Sequence, residues 1–171
     1  GQDQDGSTVY LFDNNSSTPL WSYQTSDSGF FDLDISADGE YMVCRGDGTI
    51  YLFDKDSSSP LWTVNSYSTV SISADGNYIV AGGNQKIFLF DKDSSTPIWS
   101  YSIGSVINEV EFTDSGTHIA FKSESSIYII DRVYKNIIWQ KTFTSSIKDF
   151  AISSDAQIIA IGLSNEKLYT F

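Results

Sequence analysis

Cysteine, proline, histidine and basic side chains are all scarce in this chain of 171 residues. Cys44 is the only cysteine, which excludes an intramolecular disulfide and a zinc site built from several thiolates. It stands in the apolar run "YMVC" and reads as a small buried hydrophobe. Three prolines exclude a Pro-rich linker. With a single histidine, His118, no Ser-His-Asp constellation can be assembled, and P-loop and GxGxxG signatures are missing. The expectation is therefore a protein that is not an enzyme and uses no cofactor. Ten Lys and Arg stand against 22 Asp and Glu, for a formal net charge of −12. The clustered cations that displace counterions from nucleic acid are missing, and anionic membranes are disfavoured for the same reason. No apolar run reaches the length of a membrane span, and the opening "GQDQDGSTVY" has no signal-peptide core. The compartment stays open between the cytoplasm and a microbial cell surface or secreted setting.

What the chain does have is 40% hydrophobic and 15% aromatic residues, enough for one packed domain. It also repeats itself. "VYLFDNNSSTPLW" starts at Val9, "IYLFDKDSSSPLW" at Ile50, "IFLFDKDSSTPIW" at Ile87 and a diverged "IYIIDRVYKNIIW" at Ile127. Trp21, Trp62, Trp99 and Trp139 follow one another at intervals of 41, 37 and 40 residues. Tyr10, Tyr51, Phe88, Tyr128 and Tyr169 keep the same rhythm, as do "ISADG" at Ile35 and Ile72, "FTDSG" at Phe112 and "ISSDA" at Ile152. A period of about 40 residues is the blade length of a β-propeller.

Each period reads as four short strands. In the second unit they are Thr69–Ser73, Tyr78–Gly82, Ile87–Asp91 and Ile98–Tyr101, separated by an Asp-Gly turn, a "GNQK" turn and the "DKDSSTP" loop. The fold class is all-β, a propeller of about four 40-residue units at 9–47, 48–84, 85–124 and 125–165, with a final strand at 166–171. One blade cannot bury both its faces alone, so each unit repeats the same packing solution. The four tryptophans are assigned to that packing.

The segment "SISADGNYIVAGGNQKIFLFDKDSSTPIW" resembles a WD-repeat unit, with "ADG" for the usual Pro-Asp-Gly and "LFD" for the terminal Trp-Asp. It is also similar to the repeat of pyrroloquinoline-quinone-type propellers. The resemblance covers nearly the whole chain and implies a scaffold. The Gly-His pair of WD repeats is missing, since His118 opens a second strand where other units have Tyr41 and Tyr78, and no quinone-site motif is present. Propellers of the WD kind usually close with six to eight blades, which leaves three readings here: two chains joined into one ring, a longer ring, or a four-bladed monomer. The first two are preferred, with self-association as a dimer.

Several motifs invite chemistry. "DKDSS" at Asp54–Ser58 and Asp91–Ser95 opens like a calcium loop, but Ser59 and Asn65 stand at the sixth and twelfth places, where Gly and Glu are needed. Asp32, Asp34, Glu109 and Glu111 fall on first strands, where they face the central channel and form a candidate acidic ligand site. Thr69, Ser71, Asp149 and Ala151 occupy the matching places in the other units. "RGD" at Arg45–Asp47 and the sequons at Asn14 and Asn15 lie in turns. Together these observations point to a scaffold that presents loops to a protein partner. A carbohydrate-binding or adhesion propeller is the alternative, and a propeller piece of a larger enzyme is a weaker one.

Overall fold

The computed structural model describes residues 6–25, 27–65 and 67–171. Among them there are 17 strands in five antiparallel sheets and no helix. β1 (Thr8–Phe12) and β2 (Pro19–Gln24) form a two-stranded sheet. Three four-stranded sheets follow. The first comprises β3 (Asp32–Ile35), β4 (Tyr41–Arg45), β5 (Thr49–Asp54) and β6 (Trp62–Asn65). The next holds β7 (Thr69–Ile72), β8 (Tyr78–Gly83), β9 (Lys86–Asp91) and β10 (Trp99–Ser102). The third contains β11 (Glu109–Phe112), β12 (His118–Lys122), β13 (Ser126–Asp131) and β14 (Ile137–Thr142). β15 (Ile147–Ile152), β16 (Ile159–Leu163) and β17 (Leu168–Thr170) make the last sheet. Within each sheet every strand pairs with its sequence neighbour, so each is a meander; the strands of the four-stranded sheets are termed first to fourth, β1 and β2 stand as a third and a fourth strand, and β15, β16 and β17 as a first, a second and a third.

The core lies between neighbouring sheets rather than inside any one. Alternation along β5 shows why. Tyr51 and Phe53 pack back onto the first sheet with Trp21 and Tyr23, whereas Ile50 and Leu52 pack forward with Val70, Ile72 and Phe90. The third core joins Val80 and Leu89 to Phe112 and Phe121, and the fourth joins Ile127 and Ile129 to Phe150 and Ile161. Phe53, Phe90 and Phe121 have no exposed surface. Burying a side chain of that size stabilises by about 1.5–3 kcal/mol.

The turn between first and second strands is built the same way in three of the four units; in the other, Thr113 and Ser115 take the places, and Thr113 Oγ1 accepts from the His118 N–H at 3.3 Å. Ser36 Oγ donates to Asp38 Oδ1 at 2.6 Å and accepts from the Tyr41 N–H at 3.0 Å. Ser73, Asp75 and Tyr78 repeat the arrangement at 2.6 and 3.0 Å, and Ser153, Asp155 and Ile158 at 2.7 and 2.9 Å. This serine–aspartate lock holds the turn without a histidine. Gly39 and Gly76 take φ of 72° and 69°, the left-handed region that glycine enters without steric cost. In the last unit Ala156 stands in that place with φ 58°.

Neighbouring sheets are fastened by one recurring clasp. Trp21 Nε1 donates to the Lys55 carbonyl at 2.8 Å, Trp62 to Lys92 at 2.7 Å and Trp99 to Arg132 at 3.1 Å. Each acceptor directly follows the aspartate that ends a third strand of the next sheet. In two of the three the cationic side chain of the same residue reaches that same preceding sheet, with the Arg132 guanidinium 3.9 Å from the Tyr78 ring centroid and the Lys92 ammonium 5.6 Å from that of Tyr41.

Candidate functional site

Two surfaces follow from the meander. First strands line the inner wall. Turns between second and third strands share one rim with the links from fourth to next first strands; the remaining loops share the opposite rim.

The inner wall carries the four carboxylates that the spacing singles out, and it uses them unequally. Asp32 Oδ2 accepts from Thr69 Oγ1 and from the Val70 N–H, both at 2.9 Å. Asp34 Oδ2 accepts from Ser71 Oγ at 2.8 Å and the Ile72 N–H at 2.9 Å. β7 is a sheet edge with unpaired N–H groups, and these two aspartates satisfy it from the neighbouring sheet. Ser71 Oγ in turn accepts from the Phe112 N–H at 3.3 Å, which carries the connection on to β11. Glu109 pairs with Lys122, a buried lysine that also donates to the Lys148 carbonyl. Glu111 differs. It lines a cavity of about 250 Å³ with Asp34, Ser71 and Asp114. Burial, reinforced by the neighbouring charges of Glu109, Asp34, Asp114 and Asp149, pushes its carboxyl up to about 7. Asp32 and Asp34 thus serve the sheet edge, Glu109 is ion-paired, and Glu111 is the one of the four held by neither. Among the described residues no group of three or more His, Cys, Asp or Glu is disposed to hold a metal ion.

The loop motifs are tied into their own turns. Asp54 Oδ1 accepts from the Asp56 N–H at 2.8 Å, and Asp91 Oδ1 from the Asp93 N–H at 2.9 Å. The Arg45 guanidinium lies 4.9 Å from the Phe31 ring centroid and donates to the Gly46 carbonyl at 3.0 Å. Asp47 accepts from Ser28 N–H and Oγ at 2.7 and 2.9 Å, which holds its carboxyl below the usual range. Asn14 and Asn15 are exposed on the loop between β1 and β2. Cys44 is fully buried and its thiol is pushed up to about 12, an unreactive state. His118 contacts Thr117 Oγ1 through Nδ1 at 2.9 Å.

A large open concavity lies on the first rim, at residues that carry no motif. A groove of about 580 Å³ is lined by Gly48, Tyr67, Ser68, Gly83, Asn84, Gln85 and Val106. It runs into a second of about 520 Å³, which shares Gln85 and Val106 and continues through Asn108 to Ser123 and Ser126. The combined groove crosses three consecutive sheets. Tyr67 makes part of its floor, edge-on to Phe88 at 5.0 Å. Asn84 and Gln85 hold φ of 46° and 67°, a pair of non-glycine residues in the left-handed region. Glu124 is the one ionisable carboxylate on the lining. Sequence reading passes over this groove because its residues belong to three different turns. The signal present was the "GGNQK" turn, read only as a connection.

Comparison with known proteins shows what the repeat is similar to. The model of the WD domain, G-beta repeat, matches residues 17–54 and 59–91. A chain in the crystal structure of the mitotic checkpoint complex superposes with a TM-score of 0.81 at 16% identity, over 95% of this chain and 55% of that one. The chain therefore spans little more than half the length of that neighbour. Similar solved chains number 1256, so the likeness identifies a scaffold and not a task. A search of curated proteins finds no match. Two stretches of the chain match the WD-repeat model, and the fold is a WD-repeat-like β-propeller.

Proposed function

We propose that this protein is a non-enzymatic scaffold that binds a protein partner along the groove crossing its three complete blades. The observation that carries the reading is the groove itself: a continuous, nearly uncharged concavity on a protein of net charge −12. Its walls are short turns fixed by rigid strands, the arrangement on which binding loops are commonly built. Propellers of the WD kind commonly mediate protein–protein interaction, which supports the same reading. Val106, 57% exposed, is the apolar contact the groove offers.

The test compares proximity-labelled partners of the wild-type chain with those of Val106→Asp and of Asp56→Lys on the opposite rim. Partners lost with the first variant and kept with the second support the groove. Identical partner sets for all three remove it.

A carbohydrate-binding surface is the second reading, favoured by the amides and hydroxyls of Asn84, Gln85, Ser123 and Ser126 beside Tyr67. A glycan array, repeated with Asn84→Gly, separates the two. We also infer that the array self-associates to close its ring, and that the groove acts on the assembled disc.

A further inference from the structure

Four loops join a third strand to a fourth, and they share one device. Each opens on an aspartate eight residues before the tryptophan of its unit: Asp13, Asp54, Asp91 and Asp131. Each aspartate accepts, through Oδ1, the N–H two residues on, at 2.8, 2.8, 2.9 and 2.8 Å. Three of the loops then continue with polar residues, "NSSTP", "DSSSP" and "DSSTP". In the fourth the same places hold "VYKNI". Val133 stands where the second and third loops have Asp56 and Asp93, and Tyr134 where they have Ser57 and Ser94.

The exchange brings the loop nothing from inside. Ser57 Oγ accepts from the Ser59 N–H at 3.0 Å and Ser94 Oγ from the Thr96 N–H at 3.1 Å, bonds that a tyrosine ring does not make. Val133 and Tyr134 are instead 65% and 81% exposed, and among the described residues Tyr134 is the most exposed large hydrophobic side chain. The backbone beneath them is fixed. Asp131 Oδ1 accepts the Tyr134 N–H as well, at 2.7 Å, and the Lys135 N–H closes on the Asp131 carbonyl at 3.0 Å. Arg132, beside the tip, donates from Nε to the Gly116 carbonyl at 2.7 Å. An aromatic and an aliphatic side chain on a fixed loop have little backbone order left to lose on binding, which is what an interface anchor requires.

The surroundings set the chemistry of what such an anchor meets. The turns and loops of this rim, at 13–18, 36–40, 54–61, 73–77, 91–98, 113–117, 131–136 and 153–158, hold 11 carboxylates against four Lys and Arg. Lys55 pairs with Glu40, Lys92 with Asp93, and Arg132 lies on the Tyr78 ring, so three of the four cations are already engaged. The turns and links of the groove rim between Gln24 and Leu168 hold four carboxylates, Asp27, Asp47, Glu124 and Glu166. Serine hydroxyls and turn N–H groups keep Asp38 and Asp155 below the usual carboxylate range, so the acidic rim stays anionic at neutral pH.

We propose that Val133 and Tyr134 anchor a second interaction surface, the acidic rim, to a protein that presents an apolar pocket within a cationic face. The tip fills the pocket, and the carboxylates around it steer the approach. A bilayer is the poorer occupant, because two apolar side chains insert too little and anionic lipid is repelled by the rim.

The test replaces Tyr134 with the photoreactive p-benzoylphenylalanine in cells that express the chain, identifies the cross-linked protein and measures its binding after purification. The comparison variant is Val133→Asp, Tyr134→Ser, which writes the tip of the second and third loops into the fourth; circular dichroism checks that its fold is kept. The expected partner has a basic surface and binds this variant about 30-fold more weakly, the loss lying in the dissociation rate. Raising the salt concentration lowers the association rate of the wild type about tenfold and leaves its dissociation nearly unchanged. Val106→Asp, in the groove on the other rim, leaves the affinity as it was. The proposal is overturned by the absence of a cross-link from position 134, by a partner with an acidic surface, or by equal affinity for wild type and comparison variant. Binding lost with Val106→Asp, or a tip that holds phosphatidylcholine vesicles as tightly as the cross-linked protein, overturns it as well.

Discussion

Lys92 is held twice by the preceding blade: its carbonyl accepts the Trp62 indole at 2.7 Å, and its ammonium lies 5.6 Å from the Tyr41 ring centroid. Backbone and side chain of one residue thus bind a neighbouring sheet at two points. Replacing Trp62 by Phe keeps the ring and removes the donor. The expected cost is about 1–3 kcal/mol, because a part-buried carbonyl loses its partner. Urea denaturation followed by fluorescence of the remaining tryptophans measures it. An unchanged midpoint would show that the clasp is incidental to packing.

Asp34 is predicted to act on stability and not on ligand binding. Its carboxylate satisfies Ser71 Oγ and the Ile72 N–H at an otherwise unpaired strand edge. Asp34→Ala should therefore cost about 1–3 kcal/mol. Hydrogen exchange should speed up at Ile72 before it does in the buried strand β8. If the variant unfolds like the wild type, the inner wall does not depend on this bridge.

Glu111 sets a pH dependence whose sign follows from its position. Its folded-state value, about 7, lies above its ordinary value of 4.5, so the folded chain holds the proton more tightly than the unfolded one. Its contribution to stability is complete below pH 4.5 and is lost as pH rises through about 7. Glu111→Gln should flatten the stability profile over that interval and gain up to about 1 kcal/mol at pH 8, a figure reduced for its contact with solvent. Thermal melts at pH 5 and pH 8 decide the matter. A wild type and a variant with parallel profiles would remove Glu111 as the source.

Ala156 gives a prediction of opposite direction. It holds φ 58° in a turn where other units place glycine. Ala156→Gly relieves that conformation and should raise stability by up to about 1 kcal/mol, since strain of 1–3 kcal/mol is partly offset by the freer unfolded chain. A lower melting temperature would mean that the methyl group packs more usefully than its backbone suggests.

The repeat was legible because it is written in large residues at fixed intervals. Aromatics at Tyr10, Tyr51, Phe88 and Tyr128, each with a tryptophan eleven residues later, carry the blade period openly. The third strand that opens the array and the one that ends it were also readable by counting. Asp32 and Asp34 lie on β3 and Glu109 and Glu111 on β11, and their partners were not foreseen. Asp32 and Asp34 bond to β7 across a gap between sheets, and nothing in their own strand announces it. The groove escaped for a related reason. Tyr67, Asn84 and Val106 come from three turns that only the stacking of blades brings together.

The matched repeats at 17–54 and 59–91 do not coincide with single sheets. Each holds the fourth strand of one sheet and the first three strands of the next, and its tryptophan clasps the residue that immediately follows it. A gene duplication that copies one such stretch therefore inserts a whole blade with both of its seams already encoded. The circumference of the ring can then drift over generations by unequal crossing-over, without any interface having to be reinvented. The second and third copies, "FDKDSSSPLW" and "FDKDSSTPIW", are nearly identical, as such copying would make them.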